Sequence, residues 1–317
     1  MWIAPVLIWG NPKSGAKIND DYKGRLREEQ LLAFVAVQIS NALSLSCLLF
    51  LLSVGLTVIF GIMRVVNFAH GALFMAGAYV GYSIIGYTGG SIWLALIIVP
   101  LVIGAAGVLT EVVGLRPLYK RVHLYQFLYT FGVALILEEI IKMTWGVQPL
   151  SINLSKTLSG SVQLLGQQYP VYRLFLIAIG VAVGIGFFFF LQRTKTGMYA
   201  RAAAENSEMV GALGVNVIRL RTYIFWLGAC LAGLGGLLAG PLLSVFPEMG
   251  SRVIIDAFVV VIVGGLGSFM GSMLGSLIIG FTETFGNLFF PDAAMVSIYI
   301  VMIIILVFRP SGLLGRD

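Results

Sequence analysis

The chain contains 317 residues, of which 59% are hydrophobic and 11% are charged. Soluble domains are about 45–50% apolar and about 25% charged, so this composition excludes an ordinary soluble enzyme, a disordered protein and a nucleic-acid-binding domain. Lys and Arg in loops next to anionic lipid headgroups account for the net charge of +6. The composition predicts an all-α integral membrane protein with about 20 apolar residues in each span.

The chain begins with a polar stretch, and we interpret residues 1–30 as an N-terminal extension to a transmembrane domain over 31–317. The run from Leu31 to Met63 carries no charge. It suits one long helix, or two short spans separated near Ser44–Ser46. A third possibility is a break within the membrane at residues 64–71. The sequence leaves these alternatives open.

Eight further apolar segments follow in chain order. They cover residues 71–87, 91–113, 124–145, 172–191, 222–246, 254–268, 270–289 and 293–308. Together with the first run they predict a polytopic helix bundle of about eight (eight to ten) transmembrane segments, some of them broken or re-entrant. Basic residues collect at 116–121, 193–221 and 309–316, and these three stretches should face the cytoplasm.

Glycines four residues apart predict how the helices pack. They form the series Gly267, Gly271 and Gly275 and the pairs Gly77–Gly81, Gly180–Gly184 and Gly236–Gly240. Small residues at this spacing let helix backbones approach closely in lipid. We expect close helix packing at these positions.

Polar residues interrupt the apolar sequence just after the first run. Arg64, Asn67 and His70 are three residues apart, which places them on one face if the segment is helical. Polar groups at membrane depth usually face the bundle interior or a wet path. Lining of a substrate path and a simple interfacial turn are both open interpretations.

The longest polar stretch after the N-terminus is 193–221. Within it, 198–213 carries an apolar stripe at helical spacing, formed by Met198, Ala202, Met209, Ala212 and Leu213. Gly214 is well placed to end this helix. The pattern predicts a short amphipathic helix that lies on lipid or docks into a groove of a soluble partner, and its small residues favour docking.

A glycine cluster at 264–268 predicts a tight turn between two short apolar segments. Interrupted segments are the usual sequence pointer to a transport site, and an ordinary helical hairpin is the open alternative. Asp256 and Glu283 stand nearly alone in apolar surroundings, so each is a functional candidate, and a position near an interface with water within reach is the alternative. Glu138 and Lys142 are four residues apart and should form an ion pair on one helix.

Motifs for catalysis are missing from the sequence. It contains no GK[ST], GxSxG, HExxH or CxxC, and His70 and His123 are 53 positions apart. Cys47 and Cys230 lie in apolar runs, as small buried hydrophobes do. The sequence therefore predicts no enzyme, no catalytic residue, no metal site and no nucleotide-binding loop.

Five segments in order resemble the branched-chain amino acid ABC transporter permease family, in particular its LivH-type members. They are Asn67–Gly71 within Gly55–Tyr79, Leu115–Leu118, the alanine-rich helix with Leu213–Gly214, Gly264–Ser268 and Phe308–Gly315. The similarity runs from about residue 35 to the end of the chain.

This resemblance implies a permease subunit in the cell (inner) membrane with a LivM-like second permease, two cytoplasmic ATPase subunits that bind the ATP, and an extracytoplasmic solute-binding protein. It implies no cofactor in this chain. Helix 198–214 would be the ATPase-coupling helix, with contacts at Ala203, Ala204, Glu205, Asn206, Leu213 and Gly214. The substrate path would include Asn67, His70, Gly71, Asp256, Gly264, Gly265, Gly267 and Ser268.

Two departures from the family pattern keep alternatives open. The extension 1–30 is not part of the pattern, and Asp256 stands where amino-acid members often carry Lys. Urea-type relatives look more similar at that position, so a permease for urea or a short-chain amide is one alternative. An ion-coupled secondary transporter that uses Asp256 or Glu283 as a proton site is another, and a membrane-bound transferase is a third.

Overall fold

A computed structural model describes residues 20–155, 158–164 and 166–315. Within that part of the chain the bounds of the helices are α1 (Asp20–Met63), α2 (Ala69–Tyr87), α3 (Ala95–Thr110), α4 (His123–Trp145), α5 (Val171–Arg193), α6 (Lys195–Glu205), α7 (Ser207–Ala212), α8 (Val217–Leu243), α9 (Met249–Gly264), α10 (Phe269–Phe289) and α11 (Ala294–Phe308). One antiparallel hairpin pairs β1 (Ser161–Leu164) with β2 (Gln167–Pro170). Most of the predicted extension, residues 1–19, lies outside the described residues.

The described helices confirm a polytopic all-α membrane fold but not the predicted number of spans. Six helices are individually long and apolar enough to cross a membrane, and the bent pair α9–α10 raises this number to seven at most. Helix α9 has 16 residues, or about 24 Å, which is shorter than a hydrocarbon core of about 30 Å. The prediction of eight to ten spans counted such short pieces as complete crossings.

Helix α1 is the centre of the bundle. It runs unbroken over 44 residues, so the split proposed near Ser44–Ser46 does not occur. It packs against α5, α8, α9 and α10, and 78% of its apolar window is buried. Its buried polar side chains are small, as at Ser53 and Thr57, and Thr57 shares a hydrogen bond with Ser272 of α10.

Glycines bring α2 and α8 into backbone contact, as their spacing predicts. Gly77 lies against Gly233, and a Cβ at Gly236 would overlap the Phe74 carbonyl oxygen. Gly81 lies against Leu237 one turn further along both helices, so α2 and α8 run parallel. The predicted series that starts at Gly267 is not one helix face, because Gly267 lies in the turn before α10.

Candidate functional site

The segment 64–68 is a non-helical return inside the bundle. The His70 ring lies against Gly55, and its Nε2 is 3.0 Å from the Leu52 carbonyl oxygen. Gly55 precedes the end of α1 by eight residues, which is about 12 Å of helix. The chain therefore runs back along α1 before α2 begins. The sequence left open a break at residues 64–71 as its third alternative, and the structure has a break at 64–68.

Helix α4 satisfies the exposed backbone of this return. Thr130 Oγ1 lies 3.3 Å from both the Phe68 nitrogen and the Val66 carbonyl oxygen. Non-helical backbone is tolerated at membrane depth where it is buried in protein. The polar side chain at position 130 therefore stabilises the return, and sequence analysis did not single it out.

Three predicted path residues are buried in the helix packing and line none of the cavities described below. Asn67 and His70 are both fully buried, and a Cβ at Gly71 would overlap the Gly250 backbone. The side-chain amide of Asn67 has no hydrogen-bond partner among the described residues. Leu52, whose carbonyl oxygen is next to His70, is one of the residues that line a cavity.

That cavity, which we call the carboxylate cavity, has a volume of about 220 Å³ and contains charges of both signs. Asp256 and Arg252 of α9 and Glu283 of α10 supply the charges, and α1, α2 and α8 supply most of the apolar wall. A second cavity of about 440 Å³, the vestibule, shares Glu283 and Leu45 with it and adds polar groups such as Arg173 and Asn41. Arg173 donates a hydrogen bond to Asn41.

The predicted glycine turn lies at the other end of α9. Gly267 and Ser268 line a cavity of about 520 Å³, the turn cavity, together with Arg64. Gly264 and Gly265 are buried instead, because residues 312–315 cover them. The Leu313 and Leu314 nitrogens donate 2.9 Å hydrogen bonds to the Val263 and Gly264 carbonyl oxygens. The terminal motif and the glycine turn therefore form one unit.

The predicted coupling helix is two helices. Helix α6 ends at Glu205, and the Asn206 side chain accepts a hydrogen bond from the Met209 nitrogen at the start of α7. An Asn side chain that caps a helix favours a new start over continuation, which the single predicted helix 198–213 overlooked. Gly214 follows α7 with a φ of +86°, as expected for a helix-ending glycine.

The two sides of these helices differ. Ala203 and Val210 are buried against the rest of the chain, and Ala204 and Glu205 line the turn cavity. The predicted apolar stripe faces outward, because Met209 is 63% exposed and Leu213 is 80% exposed. The remaining stripe residues Met198, Ala202 and Ala212 are exposed as well.

An ion pair with a buried carboxylate links the end of α3 to the start of α8. Helix α3 continues through a π-helical turn, Glu111–Leu115, where the fully buried Glu111 carboxylate accepts hydrogen bonds from Arg116, Tyr119 and Thr222. The Arg221 guanidinium lies 5.0 Å from the centre of the Tyr119 ring. Burial and the hydrogen bond to Glu111 raise the pKa of Tyr119.

Contacts bring the three basic stretches to one end of the bundle. Arg116 bonds Thr222, which links the 116–121 loop to the start of α8. Gly267 touches Gly61 near the end of α1, and Gly265 touches residues 314–315. Residues 146–155 lie at the opposite end, where Leu150 pairs with Val245. This arrangement agrees with a common side for all three stretches.

Sequence reasoning missed two parts of the site. It did not place Arg252 and Glu283 in one cavity, since their proximity depends on how α9 and α10 cross. The four-residue spacing of Arg252 and Asp256 was a usable signal. It also missed that the C-terminal motif covers the glycine turn. Among the described residues no group of three or more His, Cys, Asp and Glu side chains is placed to hold a metal ion.

The sequence matches known permeases. Residues 38–306 match the family described as branched-chain amino acid transport system, permease component. The permease protein BraD of Pseudomonas aeruginosa is 29% identical over 88% of this chain and 95% of its own length. LivH of Escherichia coli K12 is 29% identical over 91% and 97% of the two chains. A probable LivH permease of Methanocaldococcus jannaschii is 31% identical over 88% and 92%. No solved structure matches the chain significantly.

Proposed function

The chain belongs to the branched-chain amino acid transport permeases, and from this premise we propose that it is the membrane-spanning subunit of an ATP-driven importer of aliphatic amino acids. Its place is in the cell membrane, which it crosses several times. The observation that carries the proposed coupling to ATP is the exposed apolar stripe with Met209 and Leu213, at the end where the basic loops collect.

The two sides of α6 and α7 support a coupling role. Their outer side is apolar and exposed, which suits docking into a groove on a soluble partner. Their inner side lines the turn cavity, which the end of α1 and the turn before α10 also line. A push on the stripe by an ATPase subunit would therefore act on the loops where α1 ends and α10 begins.

The importer needs further subunits. We propose that two cytoplasmic ATPase subunits bind the ATP, that a LivM-like permease completes the membrane channel, and that an extracytoplasmic binding protein delivers the substrate. The sequence of this chain has no GK[ST] motif and thus no phosphate-binding loop of the Walker type. The charged, leucine-rich carboxylate cavity favours aliphatic amino acids over urea or a short-chain amide.

Purification of the complex in mild detergent tests the coupling role. We expect an ATPase to accompany the wild-type chain and to be lost from the Leu213→Arg and Met209→Arg variants, since a charge on the stripe opposes docking. Val147→Arg is the matched control, because Val147 is an equally exposed apolar residue, at 63%, in the opposite loop.

Each outcome has a clear meaning. Loss of the ATPase from the stripe variants alone supports the proposed docking surface. Equal recovery in all variants would contradict it. If the intact wild-type chain carries no ATPase, and uptake survives ATP depletion but collapses with the proton gradient, the chain is an ion-coupled transporter.

A further inference from the structure

The carboxylate cavity combines two kinds of lining that rarely occur together in a bundle. Nine of its twelve lining residues are apolar, among them Leu45, Leu48, Leu52 and Phe74. The other three are Arg252, Asp256 and Glu283. The cavity therefore offers one cationic group, two anionic groups and an aliphatic wall within about 220 Å³, which is the space of several water molecules at about 30 Å³ each.

The charged groups of this cavity are not paired with one another. Among the described residues, Asp256 and Glu283 accept no hydrogen bond on their carboxylates, and no ion pair within 4.0 Å joins either to Arg252. The contrast with Glu111 is informative, since that carboxylate is fully satisfied by three side chains. Arg252 is exposed, whereas Asp256 and Glu283 are half-buried. Carboxylates inside a membrane domain are costly and usually mark a substrate or ion path.

The spacing of the charges suits a small zwitterion. Arg252 and Asp256 are four residues apart on α9, so their Cβ atoms are neighbours at about 5–6 Å on one face of the helix. Glu283 of α10 lines both this cavity and the vestibule. The positive and negative groups thus lie side by side along the route from the vestibule to the leucine wall.

We propose that the carboxylate cavity holds the translocating amino acid as a zwitterion. Asp256 and Glu283 accept hydrogen bonds from its ammonium group, Arg252 donates to its carboxylate, and its aliphatic side chain packs on Leu45, Leu48 and Leu52. These substrate contacts rest on the proposed function, the import of aliphatic amino acids. His70 is a positioning residue, because it holds the Leu52 backbone behind the wall.

Reconstitution of the complete importer in proteoliposomes tests the assignment. The probe is radiolabelled leucine on saturating binding protein, and the readout is leucine taken up per ATP hydrolysed. We expect Asp256→Asn and Glu283→Gln each to lower this ratio at least tenfold, while the ATPase activity stimulated by the binding protein persists. Asp292→Asn is the matched control, because Asp292 is an exposed carboxylate outside the cavity.

A second measurement needs no variant and so does not depend on their folding. Leucine should raise the unfolding temperature of the purified transporter without binding protein. Isoamylamine lacks the carboxylate and 4-methylpentanoate lacks the ammonium group, so neither should do so at equal concentration. Equal protection by either analogue would overturn the zwitterion assignment.

The experiments separate failure of this assignment from failure of the proposed function. If the wild-type importer takes up leucine and both carboxylate variants keep the wild-type ratio, the assignment is wrong and the function stands. If the assembled wild-type importer hydrolyses ATP but takes up no aliphatic amino acid, the proposed function fails first.

Discussion

Helices α1 and α11 are built from similarly apolar residues but have opposite surroundings. In α1, 78% of the apolar window is buried, whereas in α11 the buried share is 11%. Hydropathy drives both helices into the membrane, but lipid is as apolar as a protein interior and so does not decide which helix becomes central. Small residues do, because α1 carries Gly55 and Gly61 at close backbone contacts, whereas α11 contains no glycine.

If small residues decide which helices pack centrally, the largest loss of stability should follow a substitution at the α2–α8 contact. Gly236→Ala places a Cβ on the Phe74 carbonyl oxygen and forces the two helices apart, so we expect a loss of more than about 3 kcal/mol. Gly186→Ala on the exposed side of α5 meets nothing within 4 Å. That control should gain about 0.5–1 kcal/mol from lower backbone entropy. Thermal unfolding in detergent measures both, and equal effects would contradict the packing argument.

A side-chain truncation compares the two helices directly. Leu51→Ala in α1 removes a fully buried side chain and should cost about 3 kcal/mol through the cavity it leaves. Ile303→Ala in α11 removes a side chain that is 56% exposed. Because Ile303 faces lipid, we expect its loss to cost less than about 1 kcal/mol on the same transfer scale. Chemical unfolding in mixed micelles would reveal a reversed order.

The two ion pairs should differ in the same sense, because the Glu111 side chain is fully buried and that of Glu138 is 16% exposed. Glu111→Ala leaves Arg116, Tyr119 and Thr222 without their acceptor and should cost about 2 kcal/mol. Glu138 and Lys142 form the ion pair on α4 that their four-residue spacing predicts, at 2.7 Å. Glu138→Ala breaks this pair. Because water reaches this pair, we expect a smaller loss of stability than for Glu111→Ala. Similar unfolding temperatures for the two variants would argue against the anchoring role of Glu111.

The smallest effect concerns alkaline pH. The pKa of Tyr119 is raised in the folded chain, so above the usual value near 10 the unfolded side chain loses its proton while the folded one keeps it. Stability at this site is therefore full below that pH and falls as the pH rises further. Tyr119→Phe should flatten this slope in a pH series of unfolding temperatures, whereas the exposed Tyr125→Phe should not.

Much of the fold follows from local patterns in the sequence. The turn at 264–268, the ion pair of Glu138 with Lys142 and the glycine contacts at Gly77 and Gly236 each depend on residues a few positions apart or on backbone approach. The return at 64–68 did not follow uniquely, because a polar segment after a long helix suits an interfacial loop equally well. Its direction is set by Thr130 and Gly55, which are distant in sequence or have no polar signal.

The sequence predicted individual residues of the site better than it predicted which of them lie together. Asp256 was conspicuous as a lone charge, but its cavity requires Glu283 from the next helix and leucines from α1. Asn67 and His70 were conspicuous for the same reason, yet both are fully buried and line none of the three cavities. Polarity in an apolar run marks importance, and only the helix packing distinguishes a lining residue from a supporting one.

The cover that residues 312–315 place on the glycine turn sets the order in which the protein can be completed during synthesis. Leu313 and Leu314 hydrogen-bond to Val263 and Gly264, which the ribosome makes about fifty residues earlier. At about 5–20 residues per second, the turn is synthesised several seconds before its cover. Gly265 and its neighbours lack this cover until residues 312–315 have been made, so we expect the turn to close only after the last described helix, α11, has been synthesised.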